Sequence, residues 1–90
     1  MPKISQEKIK KIKETILAFL YENFPKTAFT SHIARDIARD EEFTKKLLRE
    51  LHTENFVVRI NKNRRGIEFL RRERWRLSKD IYRAYKTVAK

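Results

Sequence analysis

Cysteine is absent from this 90-residue chain, and glycine occurs only once. Without cysteine the protein has no disulfide bond, no cysteine-based zinc site and no cysteine nucleophile. A single glycine leaves no glycine-rich phosphate loop, and the sequence has no nucleophile motif or obvious carboxylate pair. The two histidines, His32 and His52, fall in different predicted helices, so no set of metal ligands converges. We therefore predict that the protein is not an enzyme and uses no metal, cofactor or small-molecule ligand.

Long apolar runs are also missing. No segment approaches the ~18 consecutive apolar residues that span a membrane. Residues 1–8 lack the apolar core and cleavage site of a signal peptide. These absences predict a cytoplasmic protein with no membrane partner. The length fits one domain, residues 1–90, with a single small core.

Negative charge is scarce. The chain has 23 Lys and Arg against 12 Asp and Glu, a formal net charge of +11. The excess is concentrated, because residues 56–78 carry a net charge of +6 whereas residues 25–55 are neutral. The charged fraction of 39% resembles that of heat-adapted proteins, but those tend to balance the two signs. A small domain this basic usually binds a polyanion, and we favour nucleic acid.

Apolar residues recur at spacings of three and four in the first part of the chain, a pattern typical of amphipathic helices. Ser5, Thr30 and Asp40 are predicted to cap three such helices at their N-termini. Asn55 is predicted to adopt the left-handed backbone conformation that ends the third helix. The predicted helices are residues 5–24, 30–38 and 41–54.

Beyond Asn55 the period changes to that of strands. Residues 56–77 are predicted to form a β-hairpin in which Trp75 and Leu77 share one face. The register stays open, because the turn is either tight at residues 63–66 or extends to Glu73. A short strand is predicted at residues 26–29, and Ser78 is predicted to cap a last helix, residues 79–89.

The order of these elements resembles the winged helix-turn-helix family. Three local patterns carry the resemblance, which covers about residues 9–77. It implies an α+β, mostly helical fold with a three-helix core, a basic β-hairpin wing and an additional C-terminal helix. Within the family the chain is most similar to small archaeal and archaeal-virus transcription regulators. The patterns are a capping Ser or Thr before an Ile-Ala pair (Thr30 to Ala34), a Leu-x-x-Leu (Leu48 to Leu51), and Asn55-Phe56-Val57 where the family usually has Gly-Leu-Val.

In this family the third helix enters the major groove of DNA, and its exposed side chains reach base edges. Arg49 is the best candidate for a guanine contact, because its fork matches two acceptors on one base edge. Glu42 either accepts from a cytosine amino group or serves as a favourable N-terminal charge and ion-pair partner of Lys46. Leu47, Leu48 and Leu51 form the apolar stripe of this helix. At about 100° per residue, the face opposite this leucine stripe carries Glu42, Lys45, Lys46, Arg49 and Thr53.

Further contacts are expected from the hairpin and from the second helix. The basic hairpin suits the phosphate backbone or a narrow minor groove, and should dominate affinity and salt dependence. Ser31 and His32 are placed for phosphate contact at the start of the second helix. The hairpin residues in this prediction are Lys62, Asn63, Arg64, Arg65, Arg71 and Arg72.

The predicted function is sequence-specific binding of double-stranded DNA by a transcription regulator. Two alternatives stay open, an RNA-binding or ribosome-associated protein and a protein–protein interaction module. The apolar face of the last helix needs cover, which either the first helix or a second copy of the chain provides. In the second case Ile81, Tyr85 and Val88 form a homodimer interface, and a two-fold dimer would space two recognition helices ~34 Å apart.

Overall fold

The computed structural model describes residues 5–60 and 73–88. This part of the chain contains four helices and a small antiparallel sheet, which confirms the predicted α+β, mostly helical class. The turn of the predicted hairpin lies outside the described residues, and with it Lys62, Asn63, Arg64, Arg65, Arg71 and Arg72. The elements in chain order are α1 (Gln6–Asn23), β1 (Ala28–Phe29), α2 (Thr30–Asp36), α3 (Glu41–Thr53), β2 (Val57–Ile60), β3 (Arg74–Leu77) and α4 (Lys79–Val88).

Three helices begin at the predicted caps. The Ser5 hydroxyl accepts a hydrogen bond from the Lys8 backbone N–H at 3.2 Å, three residues along the chain. Asp40 caps α3 and Ser78 caps α4 through the same spacing. Each cap gives a partner to one of the N–H groups that the first turn of a helix leaves unpaired.

The prediction that Thr30 caps the second helix is wrong. Thr30 is the first residue of α2, and Phe29 occupies the N-cap position without a side-chain cap. The Thr30 side chain is buried. Its hydroxyl accepts a hydrogen bond from Trp75 Nε1 at 2.7 Å and donates to the Glu73 carbonyl at 3.4 Å. The Thr30 hydroxyl oxygen therefore accepts a tertiary hydrogen bond from Trp75 and does not cap a backbone N–H in the first turn of α2.

Two helices end in the same left-handed motif. Asn55 has φ of 66°, as predicted, and Ala38 has φ of 56°. After α3, the Phe56 N–H donates to the Leu51 carbonyl, and after α2 the Arg39 N–H donates to the Ala34 carbonyl. These are the six-to-one hydrogen bonds of a Schellman motif. The second helix therefore ends at Asp36, two residues before the predicted end.

The sheet has the order β1-β3-β2, with both neighbours of β3 antiparallel to it. The hairpin register pairs Val57 with Leu77 and Ile60 with Arg74. Trp75 and Leu77 are fully buried on one face, as predicted. Alternation along this strand puts a third residue, Glu73, on the same buried side.

The core lies between the inner face of the sheet and the first three helices. Trp75 is the largest fully buried side chain, whereas the phenylalanines that pack at the margin of the core are only half-buried. Among the described residues, the aliphatic members of the core are Ile12, Ile16, Leu17 and Leu20 of α1, Ala28 of β1, Ile33 of α2, Leu47, Leu48 and Leu51 of α3, and Val57 and Leu77 of the hairpin.

The last helix packs on the end of α1. The ring of Tyr82 stacks on Phe24 at 4.0 Å and lies 5.2 Å from the ring of Tyr21. Tyr85 also contacts Tyr21, with ring centroids 5.9 Å apart. No residue of α4 is fully buried, and Val88 is 83% exposed. The first helix therefore covers one edge of α4, and among the described residues the other edge, with Ile81, Ala84 and Val88, borders an open apolar depression.

Candidate nucleic-acid interface

The third helix has one buried and one exposed face. Its buried face consists of Thr44 and three leucines that pack into the core. The opposite face carries the residues predicted from the sequence, and the fold brings all of them to the rim of one shallow depression. These residues are Glu42, Lys45, Lys46, Arg49 and Thr53.

Two of the cations on this face meet a carboxylate from the hairpin. Lys45 Nζ lies 3.8 Å, and Arg49 Nη2 3.6 Å, from Oε1 of Glu73. The Glu73 side chain is only 9% exposed, whereas that of Arg49 is 58% exposed. Arg49 therefore pairs with a buried carboxylate while more than half of its side-chain surface stays exposed.

The Glu73 backbone is fixed from the opposite side. Its carbonyl accepts hydrogen bonds from the Thr30 backbone N–H at 3.2 Å and from the Thr30 hydroxyl. Trp75, two residues along, donates its indole N–H to the same hydroxyl. This buried network joins β3 to the start of α2, and so determines where the Glu73 carboxylate stands relative to α3.

Glu73 was not among the residues predicted to contact DNA. The alternation that puts Trp75 and Leu77 on one face also puts Glu73 there, and this signal could have identified it as a buried acid. Its partners are 28 and 24 residues away in sequence, so no local pattern joins them.

Two other details of the exposed face differ from what the sequence predicts. Glu42 and Lys46 are both exposed, but within residues 5–60 and 73–88 they form no ion pair with each other. Glu42 does lie in the first turn of α3, where negative charge is favourable. The Thr53 hydroxyl donates to the Arg49 carbonyl at 3.1 Å, so its hydrogen is already used within the helix.

The predicted phosphate contacts of α2 are solvent-accessible. Ser31 and His32 are both exposed in its first turn. The His32 ring stands edge-on to Phe29, with centroids 5.6 Å apart. Their contact with DNA stays a prediction.

A second ion-pair cluster lies on the side of α3 that faces α1. Lys13 Nζ is 2.8 Å from Oε1 of Glu50 and 3.6 Å from Oε1 of Glu54. The hydrogen bond with Glu50 raises the pKa of Lys13 above its ordinary value of 10.5, against the lowering effect of burial. Among the described residues both acids therefore pair with Lys13 of α1, although Glu50 also lines the depression on the exposed face of α3.

The described residues offer neither a metal site nor a membrane span. Nowhere in this part of the chain do three or more His, Cys, Asp or Glu side chains cluster so that they could hold a metal ion. None of the described helices combines the length and the apolar character needed to cross a bilayer.

Comparison with known proteins gives similarity in structure alone. No protein-family model and no curated protein sequence matches this chain. Solved structures do match. The Staphylococcus aureus MepR–DNA complex has a TM-score of 0.73 at 18% identity, covering 92% of this chain and 65% of that one. Lactococcus lactis ZitR has a TM-score of 0.69 at 20% identity, covering 92% of this chain and 58% of that one.

A smaller protein matches over most of its own length. The Zalpha domain of PKZ from Carassius auratus, in complex with Z-DNA, has a TM-score of 0.61 at 22% identity. The match covers 77% of this chain and 95% of that domain. These similarities establish the winged-helix fold for this chain. The chain spans less than two thirds of MepR and ZitR.

Proposed function

We propose that this chain binds double-stranded DNA with sequence selectivity and acts as a transcription regulator. The observation that carries the proposal is the exposed face of α3. On it Lys45, Lys46 and Arg49 stand within about one helical turn of each other, above a fully buried leucine stripe. An exposed basic helix face on a rigid core is the arrangement that reads the major groove in helix-turn-helix proteins.

The similar structures support this proposal. MepR and the Zalpha domain were both solved in complex with DNA. MepR is described as a transcription regulator of a multidrug efflux pump. In this chain no further motif specifies another activity, and the charge excess suits a polyanion.

The two basic elements have different roles in the proposal. Arg49 reads a guanine edge, and Lys45 and Lys46 contact a guanine or a phosphate. The basic segment predicted to form the hairpin turn, with Arg64 and Arg65, contacts the DNA backbone or the minor groove and supplies most of the salt-dependent affinity. Ser31 and His32 contact a phosphate beside the groove.

We also propose that the protein is a homodimer through the open edge of α4. Val88 is exposed and Ile81 is half-buried, and Tyr85, which contacts Tyr21 of α1, also lines the apolar depression at this edge. A second copy would remove this apolar edge from water. Sedimentation equilibrium tests this with wild type and Val88→Glu. We expect a dimer for the wild type and a monomer for the variant, and a monomeric wild type at all concentrations would contradict the proposal.

Fluorescence anisotropy over a salt series tests DNA binding. The ligands are a random-sequence duplex, a duplex held in the Z form, a single strand and a structured RNA. The variants are Lys45→Ala/Arg49→Ala and Arg64→Ala/Arg65→Ala, and Lys10→Ala/Lys11→Ala on α1 is the control that removes the same charge from exposed positions. We expect the random-sequence duplex, which is in the B form, to bind most tightly. Of the three variants, Lys10→Ala/Lys11→Ala should have the affinity most similar to that of wild type.

Distinct outcomes separate the alternatives. The hairpin variant should lower the salt slope, and the α3 variant should change which duplexes are enriched from a randomised library. Preference for RNA by roughly tenfold, or no binding to any ligand, would overturn the proposal. Preference for the Z-form duplex would overturn the major-groove contact of α3.

A further inference from the structure

We infer that Glu73 is a positioning residue that sets the DNA selectivity of the α3 face by holding Arg49 and Lys45. The inference rests on the proposed function. Its basis is the contact of one buried carboxylate oxygen with both cations, at 3.6 and 3.8 Å.

The carboxylate is poorly suited to a purely stabilising role. It is nine-tenths buried, and Oε2 has no hydrogen-bond partner among the described residues. Removing a carboxylate from water is expensive, and ion pairs at these distances return only part of that free energy. The ion pairs therefore give Glu73 little net stability, and its contact with the exposed cations of α3 calls for another explanation.

The geometry at Arg49 supplies that explanation. Among the described residues the ion pair joins Glu73 to Nη2, and the Arg49 side chain is 58% exposed, so other N–H donors of the guanidinium can approach a base edge. Arginine has many rotamers, and fixing one before binding reduces the entropy lost in the complex. The carboxylate therefore favours one orientation of the guanidinium over the many that an exposed arginine would otherwise adopt.

The same carboxylate also weakens unselective binding of DNA. Its negative charge beside Lys45 and Arg49 weakens their attraction for any phosphate, whatever the sequence. A guanine edge that matches the held fork still binds, because it uses the donors that Glu73 leaves free. Glu73 thus raises the ratio of selective to unselective binding in two ways: it orients Arg49 for a guanine edge, and it weakens the attraction of Lys45 and Arg49 for phosphate.

The experiment measures this ratio in Glu73→Gln, which removes the charge and keeps the shape. The probes are the duplex that wild type enriches from a randomised library and a scrambled duplex of equal length. We expect tighter binding to the scrambled duplex, a salt slope steeper by roughly 1, and a selectivity ratio lower by roughly tenfold. Glu54→Gln, which removes a charge from the Lys13 cluster, is the matched control and should leave the ratio unchanged.

A double variant separates positioning from a structural effect. If Glu73 acts through Lys45 and Arg49, then Glu73→Gln should no longer change the ratio or the salt slope in a Lys45→Met/Arg49→Met background. A residue that merely braced the hairpin would weaken both duplexes equally, lower the melting temperature, and do so in either background. That result would overturn the inference.

The remaining outcomes are also decisive. Glu73→Met, of similar length, removes the carboxylate without introducing a buried amide, and it should reproduce the loss of selectivity. If neither variant folds, Glu73 is a determinant of the fold and the inference is wrong. If wild type enriches no duplex, the proposed function itself fails. If wild type enriches a duplex and Glu73→Gln keeps the ratio, only the inference about Glu73 fails.

Discussion

Substitution by valine should affect the stability of the protein differently at two buried threonines, Thr30 and Thr44. Thr30 is 6% exposed, and its hydroxyl accepts the hydrogen bond of the fully buried Trp75 indole at 2.7 Å. Thr30→Val keeps the shape of the side chain but leaves that indole N–H without a partner. An unsatisfied buried donor costs about 1–3 kcal/mol. In a domain of this size this corresponds to a melting temperature lower by about 5–20 °C.

Thr44 is the control. It is fully buried, and its hydroxyl donates at 2.8 Å to the Asp40 carbonyl, which also accepts the Thr44 backbone N–H at 2.9 Å. Thr44→Val therefore leaves no group without a partner, and we expect a change within about 0.5 kcal/mol. Thermal and urea unfolding followed by circular dichroism measure both variants. Equal losses in the two, or no loss in Thr30→Val, would refute the assignment of the Trp75 hydrogen bond.

Three other substitutions test separate parts of the account. Ala38→Gly should stabilise the protein by about 0.5–1 kcal/mol, because Ala38 has a positive φ that glycine adopts without strain. Asn55→Ala should destabilise the protein by about the same amount, because alanine is strained at the positive φ of Asn55. Urea unfolding measures both changes, and the opposite signs would contradict the backbone assignment. Lys13→Met should lose about 0.5–1 kcal/mol near neutral pH. The folded-state pKa of Lys13 is raised, so its contribution to stability is complete below pH 10.5 and is lost as pH rises through that raised pKa. The unfolding free energies of wild type and variant should therefore converge in strong alkali. A difference that stays constant with pH would contradict the ion pair. Arg49→Lys should lower the discrimination among duplexes by about 1–3 kcal/mol while keeping the salt slope, as measured by anisotropy, whereas an unchanged duplex preference would remove Arg49 from base readout.

The parts of the fold that follow from sequence are those with local causes. The leucine stripe of α3 and its cap at Asp40 depend on residues within a few positions of each other. Asn55 was identifiable because asparagine tolerates the left-handed conformation. Ala38 adopts the same conformation without any such signal, since alanine has no preference for it.

The parts that sequence did not reveal depend on distant segments. Thr30 has the composition of an N-cap, yet its hydroxyl bonds with Trp75, 45 residues away. Glu73 lies on the buried face by simple alternation, but its partners become visible only when β3 approaches α3. The exposed face of α3 was predictable because a single helix contains all of it, whereas the carboxylate that holds its arginine was not.

The central claim is that the exposed face of α3 contacts DNA. Amide chemical-shift mapping by NMR, with ¹⁵N-labelled wild type titrated with its enriched duplex, tests this most directly. We expect the largest shifts at Lys45, Lys46 and Arg49, and little change at exposed Lys10 and Lys11 of α1. Shifts concentrated on α1 and α4, with α3 unchanged, would contradict the account.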